Sequence, residues 1–239
     1  MTEEKRKSTL GGILIILTIP VTAALVAFCI YNYRMWLRED QGPTIYKSKT
    51  PEEWVELMHH PIAGHRDKAR KFLVQYGDDA LPHLEELLQE GSDDTARLEA
   101  IYAVQEMGTD AASLFPLLRS TLTDQSFPDR DVAAHVLLDV GDVSIETERA
   151  LIKALNEEPD PIVRAAFARC LGRAAMSSGA VEALSQSLTR EVPSSEDPWS
   201  STNERNARDA ARDSLQAIAD RGEGSLAVAA REALESNAN

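Results

Sequence analysis

Two cysteines among 239 residues are too few for a disulfide framework, and aromatic residues make up only 5% of the chain. Few aromatic residues together with abundant alanine favour helices over strands. Basic residues are also the minority, with 25 Lys and Arg against 39 Asp and Glu and a net charge of −14. This balance argues against a protein built to hold nucleic acid, because such a protein needs clustered Lys and Arg to displace phosphate counterions.

Known catalytic motifs are missing as well. The chain has no G-x-S-x-G elbow, no phosphate-binding P-loop, no G-x-G-x-x-G and no H-E-x-x-H. His59, His60 and His65 are close in sequence, but Pro61 and Gly64 interrupt the helix between them. We therefore expect solvated histidines and no metal there, and we expect no cofactor, no small-molecule substrate and no enzymatic activity.

One long hydrophobic segment is present near the start of the chain. No charged residue occurs from Ser8 to Tyr33, and the 22 residues of Leu10–Tyr31 would span about 33 Å as a helix, close to the thickness of a bilayer core. The segment is too long for a cleaved signal peptide. We predict a transmembrane helix over residues 10–33, between a short basic tail at 1–9 and a juxtamembrane linker at 34–49.

The orientation of this helix follows from the basic residues on either side. Three precede the span in one compact cluster and four follow it within about twenty residues; they are Lys5, Arg6 and Lys7, then Arg34, Arg38, Lys47 and Lys49. The compact cluster favours a cytoplasmic amino terminus. We therefore expect a single-pass protein of a bacterial inner membrane with its larger part outside the cytoplasm.

Five later segments share one helical pattern, with arginine at the second position of each. Positions three, seven and ten residues after the arginine are small or apolar, so they lie on one face of a helix. A terminal glycine in three segments can end the helix in a left-handed conformation. The segments are 65–77, 96–108, 129–141, 163–175 and 207–219, and their arginines are Arg66, Arg97, Arg130, Arg164 and Arg208.

A second amphipathic stretch lies between each pair of these segments, so each unit is a hairpin of two helices. The spacing from one arginine to the next is 31, 33, 34 and 44 residues, a period typical of solenoids. Thr50, Pro51 and Glu53 form a capping box that begins the first helix. The predicted fold is therefore all-α, an α-solenoid of about five helical hairpins over residues 50–236, after the transmembrane helix.

The fourth unit resembles a known family. Glu158–Ala175, EPDPIVRAAFARCLGRAA, is similar to the D-P-x-V-R-x-x-A-x-x-A-L-G signature of short bacterial HEAT-like repeats of the PBS-lyase type. The resemblance implies a HEAT-like solenoid, in which this arginine is a structural element. The resemblance extends to bilin lyases and to deoxyhypusine hydroxylases, which bind iron through His-Glu dipeptides, but this chain contains no His-Glu dipeptide.

Two groups of residues are candidates for binding a partner. The arginine series could line one ridge and hold an acidic partner, or each arginine could bridge to an acidic residue or helix-end carbonyl of the adjacent repeat. Residues 191–206 lengthen the fourth spacing, so we predict an insert loop there, and insertions in solenoids often map to a binding face. Trp199, with Glu196 and Asp197 beside it, could anchor a partner or fold back onto the last repeat.

The charge is concentrated in the repeat segment. Residues 51–239 carry 18 Lys and Arg against 35 Asp and Glu. We therefore expect a membrane-anchored scaffold or adaptor that binds another protein, one with a basic surface, through an acidic solenoid. The alternatives are a lyase- or hydroxylase-type HEAT enzyme and a self-associating structural component of the envelope.

Overall fold

The computed structural model describes residues 49–89, 92–190 and 198–237. The predicted tail at 1–9, the transmembrane helix at 10–33 and all of the linker except Lys49 lie outside this part of the chain. Within it, no helix is both long enough and apolar enough to cross a membrane. The anchor therefore stays a prediction.

The described part of the chain is all-helical and contains no strand, as predicted. Short 3-10 helices at Gly77–Ala80 and Gly108–Leu114 precede the third and fifth α-helices. The α-helices are α1 (Pro51–Met58), α2 (Ala63–Val74), α3 (Leu81–Leu88), α4 (Asp94–Met107), α5 (Phe115–Thr121), α6 (Arg130–Asp139), α7 (Ile145–Glu157), α8 (Pro161–Ala174), α9 (Ser178–Thr189), α10 (Pro198–Ala219) and α11 (Ser225–Ser236).

Helices α1, α4, α7 and α8 begin where a side chain accepts a hydrogen bond from a free amide group of the first turn. The predicted capping box at α1 is confirmed: the Thr50 amide donates to Glu53 Oε2 at 2.9 Å, and the Glu53 amide donates to Thr50 Oγ1 at 3.5 Å. At α8, Asp160 accepts from the Ile162 amide at 2.7 Å, and Pro161 occupies the first helical position. These local signals are readable from sequence because both partners lie within one turn.

Three helix ends confirm the predicted glycine caps. Gly77, Gly108 and Gly141 have φ values of 57°, 61° and 88°. Side chains with a Cβ rarely adopt this left-handed region, so glycine at these positions allows the chain to turn out of the helix without strain.

The predicted apolar face of the arginine helices is buried. The residues three and seven positions after the arginine have no exposed surface in any of the five helices; they are Ala69, Ala100, Ala133, Phe167 and Ala211, then Leu73, Val104, Leu137, Leu171 and Leu215. Each arginine helix packs on the next, in the order α2, α4, α6, α8 and α10, and the intervening helices α3, α5, α7, α9 and α11 also contact one another in order.

Helices α8 and α10 are in tight contact at Gly172. A Cβ at this position would lie 2.6 Å from Ser214 Cβ and 3.1 Å from Ser214 Cα. The Ser214 hydroxyl donates to the Ala168 carbonyl at 3.0 Å across the same contact. Gly172 therefore acts through packing, unlike the three glycines that end helices.

The predicted insert loop at 191–206 is too long. Residues 191–197 lie outside the described part of the chain, but Pro198 begins α10, so residues 198–206 are helical. Pro198 suits the first turn of a helix, and Asn203, Glu204 and Ala207 are buried in the fold. Helix α10 therefore begins nine residues before Ala207, the first residue of the predicted repeat segment.

Candidate functional site

The arginine series is an internal ladder of ion pairs and carbonyl contacts. Arg130 and Glu158 form its most buried pair: Arg130 Nε and Nη2 each donate to one Glu158 carboxylate oxygen at 2.7 Å. Arg130 Nη1 also donates to the Phe127 carbonyl at 2.8 Å. Glu158 has no exposed surface and Arg130 is 7% exposed, so this bidentate contact joins α6 to the end of α7 inside the protein.

Arg97 and Arg164 are held in the same way. Arg97 Nη1 donates to Asp124 Oδ2 at 2.5 Å, and its guanidinium lies 4.5 Å from the centre of the Phe127 ring. Arg164 bonds to the Glu204 carboxylate and donates to the Glu158 carbonyl at 3.0 Å. Both arginines are almost fully buried, and their charge is balanced within the chain.

The first and last arginines are half-buried. Arg66 Nε donates to Glu99 Oε1 at 3.2 Å, and Arg66 Nη1 donates to the His60 carbonyl at 2.8 Å. Arg208 Nη2 donates to the Arg190 carbonyl. All five arginines thus contact an acidic residue or a main-chain carbonyl elsewhere in the fold, which matches the bridging interpretation of the series.

Further ion pairs lie on the other row of helices, where sequence reasoning did not find them. Arg119 Nη1 donates to Asp142 Oδ2 at 2.6 Å, and Thr147 Oγ1 donates to the same oxygen at 2.6 Å. Burial alone would raise the pKa of the Asp142 carboxyl, but the hydrogen bonds from Ser144 and Thr147 and the nearby guanidinium hold that pKa below its usual value. These contacts lie inside the fold and stabilise it.

A groove of about 510 Å³ lies between α8 and α10. Trp199 in the first turn of α10 and Ile162 in the first turn of α8 both line it. Trp199 is 68% exposed and Ile162 is 55% exposed. Trp199, a predicted anchor, therefore lies at the surface on the wall of a groove, and Ile162 joins it from the neighbouring repeat.

Asparagine side chains line the middle of the groove. Asn203 and Asn206 both border it from α10. Asn203 is only 8% exposed, yet no hydrogen bond joins its carboxamide to another residue that the structure describes. The carboxamide atoms are not among the buried side-chain atoms without a partner, so Asn203 presents a solvent-accessible donor and acceptor to whatever enters the groove.

Charged side chains line the far end of the groove. Asp209 and Asp213 lie on α10, and Arg169 lies across from them on α8. Asp209 forms an ion pair with Arg212 at 3.1 Å, but both side chains are more than half exposed, and such pairs contribute little. Two carboxylates of α10 and the guanidinium of Arg169 on α8 therefore line this end of the groove. The predicted anchors Glu196 and Asp197 lie outside the described residues.

The groove residues of α10 follow a helical spacing that could have been found in the sequence. Trp199, Asn203, Asn206, Ala210 and Asp213 are separated by four, three, four and three residues, so they share one face. Because residues 191–206 were predicted to form a loop, this helical spacing was not recognised from the sequence. Ile162 lies inside the repeat signature, but its exposure depends on how α10 packs.

The histidines near α1 lie close together on the surface. The rings of His60 and His65 stack with centroids 4.2 Å apart, and His60 Nδ1 accepts from the Ile62 amide at 3.1 Å. His59 Nδ1 is 3.8 Å from Asp93 Oδ1. In the part of the chain that the structure describes, no group of three or more His, Cys, Asp and Glu side chains is arranged to hold a metal ion.

No family model matches this chain, and no curated protein matches it.

Proposed function

We propose that this protein is a membrane-anchored scaffold whose acidic HEAT-like solenoid binds a basic segment of another protein. The observation that carries the proposal is the groove between α8 and α10, where Trp199 and Ile162 expose 68% and 55% of their surfaces and Asp209 and Asp213 line the other end. Large apolar side chains exposed in a concave site are typical of protein-binding surfaces, where tryptophan often provides much of the binding energy.

The contacts between successive helices support the solenoid. Each arginine helix packs on the next, and Arg66, Arg97, Arg130 and Arg164 each reach an acidic side chain 27 to 40 residues further along the chain. Such regular bridges between neighbouring units suit a stack of hairpins, as does the similarity of Glu158–Ala175 to HEAT-like repeats. A stack of this kind presents an extended surface to a partner.

Charge complementarity selects the partner. The segment 51–239 carries 18 basic and 35 acidic residues, and the most regular arginines are already bonded inside the fold. The exposed charge is therefore predominantly acidic, so a basic segment is attracted and an anionic lipid surface is repelled. Because salt screens exposed charges over about 10 Å at 0.1 M, we expect association to weaken as salt rises.

Residues 10–33 support the membrane part of the proposal by their length and lack of charge. The compact basic cluster before them favours a cytoplasmic amino terminus. A reporter fused to the carboxyl terminus tests this orientation. An active periplasmic reporter agrees with it, whereas an active cytoplasmic reporter reverses it.

Site-specific photocrosslinking in cells tests the binding function. A photoreactive phenylalanine at Asn206, an exposed residue of the groove, should give an adduct with a second protein. The same residue at Asp78, which is exposed outside the groove, is the matched control and should give none. Adducts of the chain with itself would favour a self-associating component, and equal yields at both positions would contradict a specific groove.

A further inference from the structure

We infer that the groove between α8 and α10 recognises an extended peptide in which an apolar side chain and a Lys or Arg lie about four to six residues apart. This inference rests on the proposed function and adds to it the conformation and chemistry of the bound segment. Three features of the groove support it in turn: the carboxamide of Asn203, the apolar surface of Trp199 and Ile162, and the carboxylates of Asp209 and Asp213.

The Asn203 carboxamide indicates an extended main chain. Asn203 borders the groove, its carboxamide has no hydrogen-bond partner among the described residues, and its polar atoms are not among the buried side-chain atoms that lack a partner, so they are open to the groove. One carboxamide can accept from a peptide N–H and donate to a peptide carbonyl. A helix has already satisfied its interior N–H and carbonyl groups, whereas an extended segment offers both. Asn206, one turn further along α10, can repeat the contact.

Trp199 and Ile162 provide the apolar end. They come from different helices and face one groove, so an aliphatic or aromatic side chain of the peptide can be covered from two sides. Burying such a side chain between them removes apolar surface from water on both partners. A short peptide suits the 510 Å³ volume, which is in the range of small-ligand sites of about 300–1,000 Å³.

Asp209 and Asp213 provide the acidic end and define the spacing. They follow Trp199 by ten and fourteen residues on one helix, which corresponds to roughly 15 and 21 Å at 1.5 Å per residue. An extended peptide rises about 3.3 Å per residue. A Lys or Arg that meets either carboxylate therefore lies about four to six residues from the apolar anchor. Asp213 forms no ion pair with another described residue, so its charge is available.

Selection from a phage-displayed library of random dodecapeptides tests the inference, with the full-length chain in detergent micelles as the target. We expect enriched peptides that carry one aliphatic or aromatic residue and a Lys or Arg four to six positions away. The affinity of a synthetic copy should fall at least tenfold in Trp199→Ala and about five- to tenfold in Asn203→Ala. Asp213→Asn should reduce the salt dependence of its binding.

Val143→Ala is the matched control, because Val143 is 53% exposed and is not part of the groove lining. Its affinity should stay within twofold of the unaltered chain. Trp199 is mostly exposed, so its truncation preserves the core, and Asn203→Ser is a second variant if Asn203→Ala fails to fold.

Failure to enrich any basic-apolar peptide would overturn the inference. Equal affinity of enriched peptides for the Trp199→Ala and Val143→Ala variants would also overturn it. In either case, a groove-specific crosslink at Asn206 to a folded partner would leave the proposed scaffold function standing. Absence of both the enriched peptides and that crosslink would refute the two together. A change in the molecular size of the chain on Trp199→Ala, without peptide binding, would identify a second copy as the occupant instead.

Discussion

Replacing Glu158 by alanine should destabilise the fold far more than removing an acidic residue from the surface. Glu158 has no exposed surface, and its two carboxylate oxygens accept from Arg130 Nε and Nη2 at 2.7 Å. One of these oxygens also accepts from the Asp160 amide at 2.8 Å. The hydrogen bonds to Glu158 are the main cause that raises the pKa of the Arg130 guanidinium, against the opposing effect of burial. A guanidinium remains protonated in proteins even without a partner, so removing Glu158 leaves the buried charge of Arg130 uncompensated.

The expected cost of Glu158→Ala is about 3–5 kcal/mol, the usual effect of leaving one charge of a buried pair without its partner. The matched control is Asp139→Ala. Asp139 accepts from Arg173 at 3.1 Å, but the two side chains are 44% and 54% exposed. An exposed pair of this kind contributes about 0–1 kcal/mol.

Urea unfolding of the micelle-solubilised chain, followed by far-ultraviolet circular dichroism, gives both free energies. A third variant separates the loss of the pair from the loss of packing. Replacing Arg130 by Met and Glu158 by Leu together removes both charges, and we expect it to recover most of the stability that Glu158→Ala loses. If Glu158→Ala cost no more than Asp139→Ala, the bridge between α6 and α7 would not hold these repeats together.

Three further outcomes follow from buried groups. Gly172→Ala should lower the free energy of unfolding by about 1–3 kcal/mol, because the added Cβ would lie 2.6 Å from Ser214 Cβ. The control is Gly64→Ala, whose Cβ would meet no atom within 4 Å and which should be neutral or slightly stabilising in the same urea assay. Equal effects of the two substitutions would contradict the packing argument. Burial and neighbouring carboxylates raise the pKa of Asp129, so its ionisation destabilises the fold as pH rises through that pKa. Asp129→Asn should accordingly raise the free energy of unfolding at pH 7, and a gain that persists below about pH 3, where the carboxyl is protonated in both states, would exclude this cause. Burial raises the pKa of the Cys170 thiol to about 12. In a chain whose other cysteine is replaced by serine, a thiol reagent should therefore react with Cys170 only as the fold opens. Fast labelling of the native protein would be inconsistent with this burial.

Much of the local structure was predictable from the sequence. The capping box at Thr50, the left-handed glycines that end three helices and the buried positions three and seven residues after each arginine are all confirmed. Each depends on residues within a few turns of one another, where helical periodicity alone decides which side chains share a face. The bridging interpretation of the arginines was also available, since a regular buried cation needs a partner.

The partners themselves could not be read from the sequence. Glu158 lies 28 residues from Arg130, Asp124 lies 27 from Arg97, and Glu204 lies 40 from Arg164. These separations are unequal, so no fixed period identifies the acidic residue in advance.

By itself, the sequence determined the all-helical class and the buried face of the five arginine helices, because both depend on periodicity over short distances. Only the tertiary structure decided that α10 begins at Pro198, that Gly172 is a packing contact and that Trp199, Ile162 and Asn203 meet in one groove. Each of these depends on how α8 and α10 approach each other. That approach results from many side-chain contacts between segments distant in the chain, which no local pattern records.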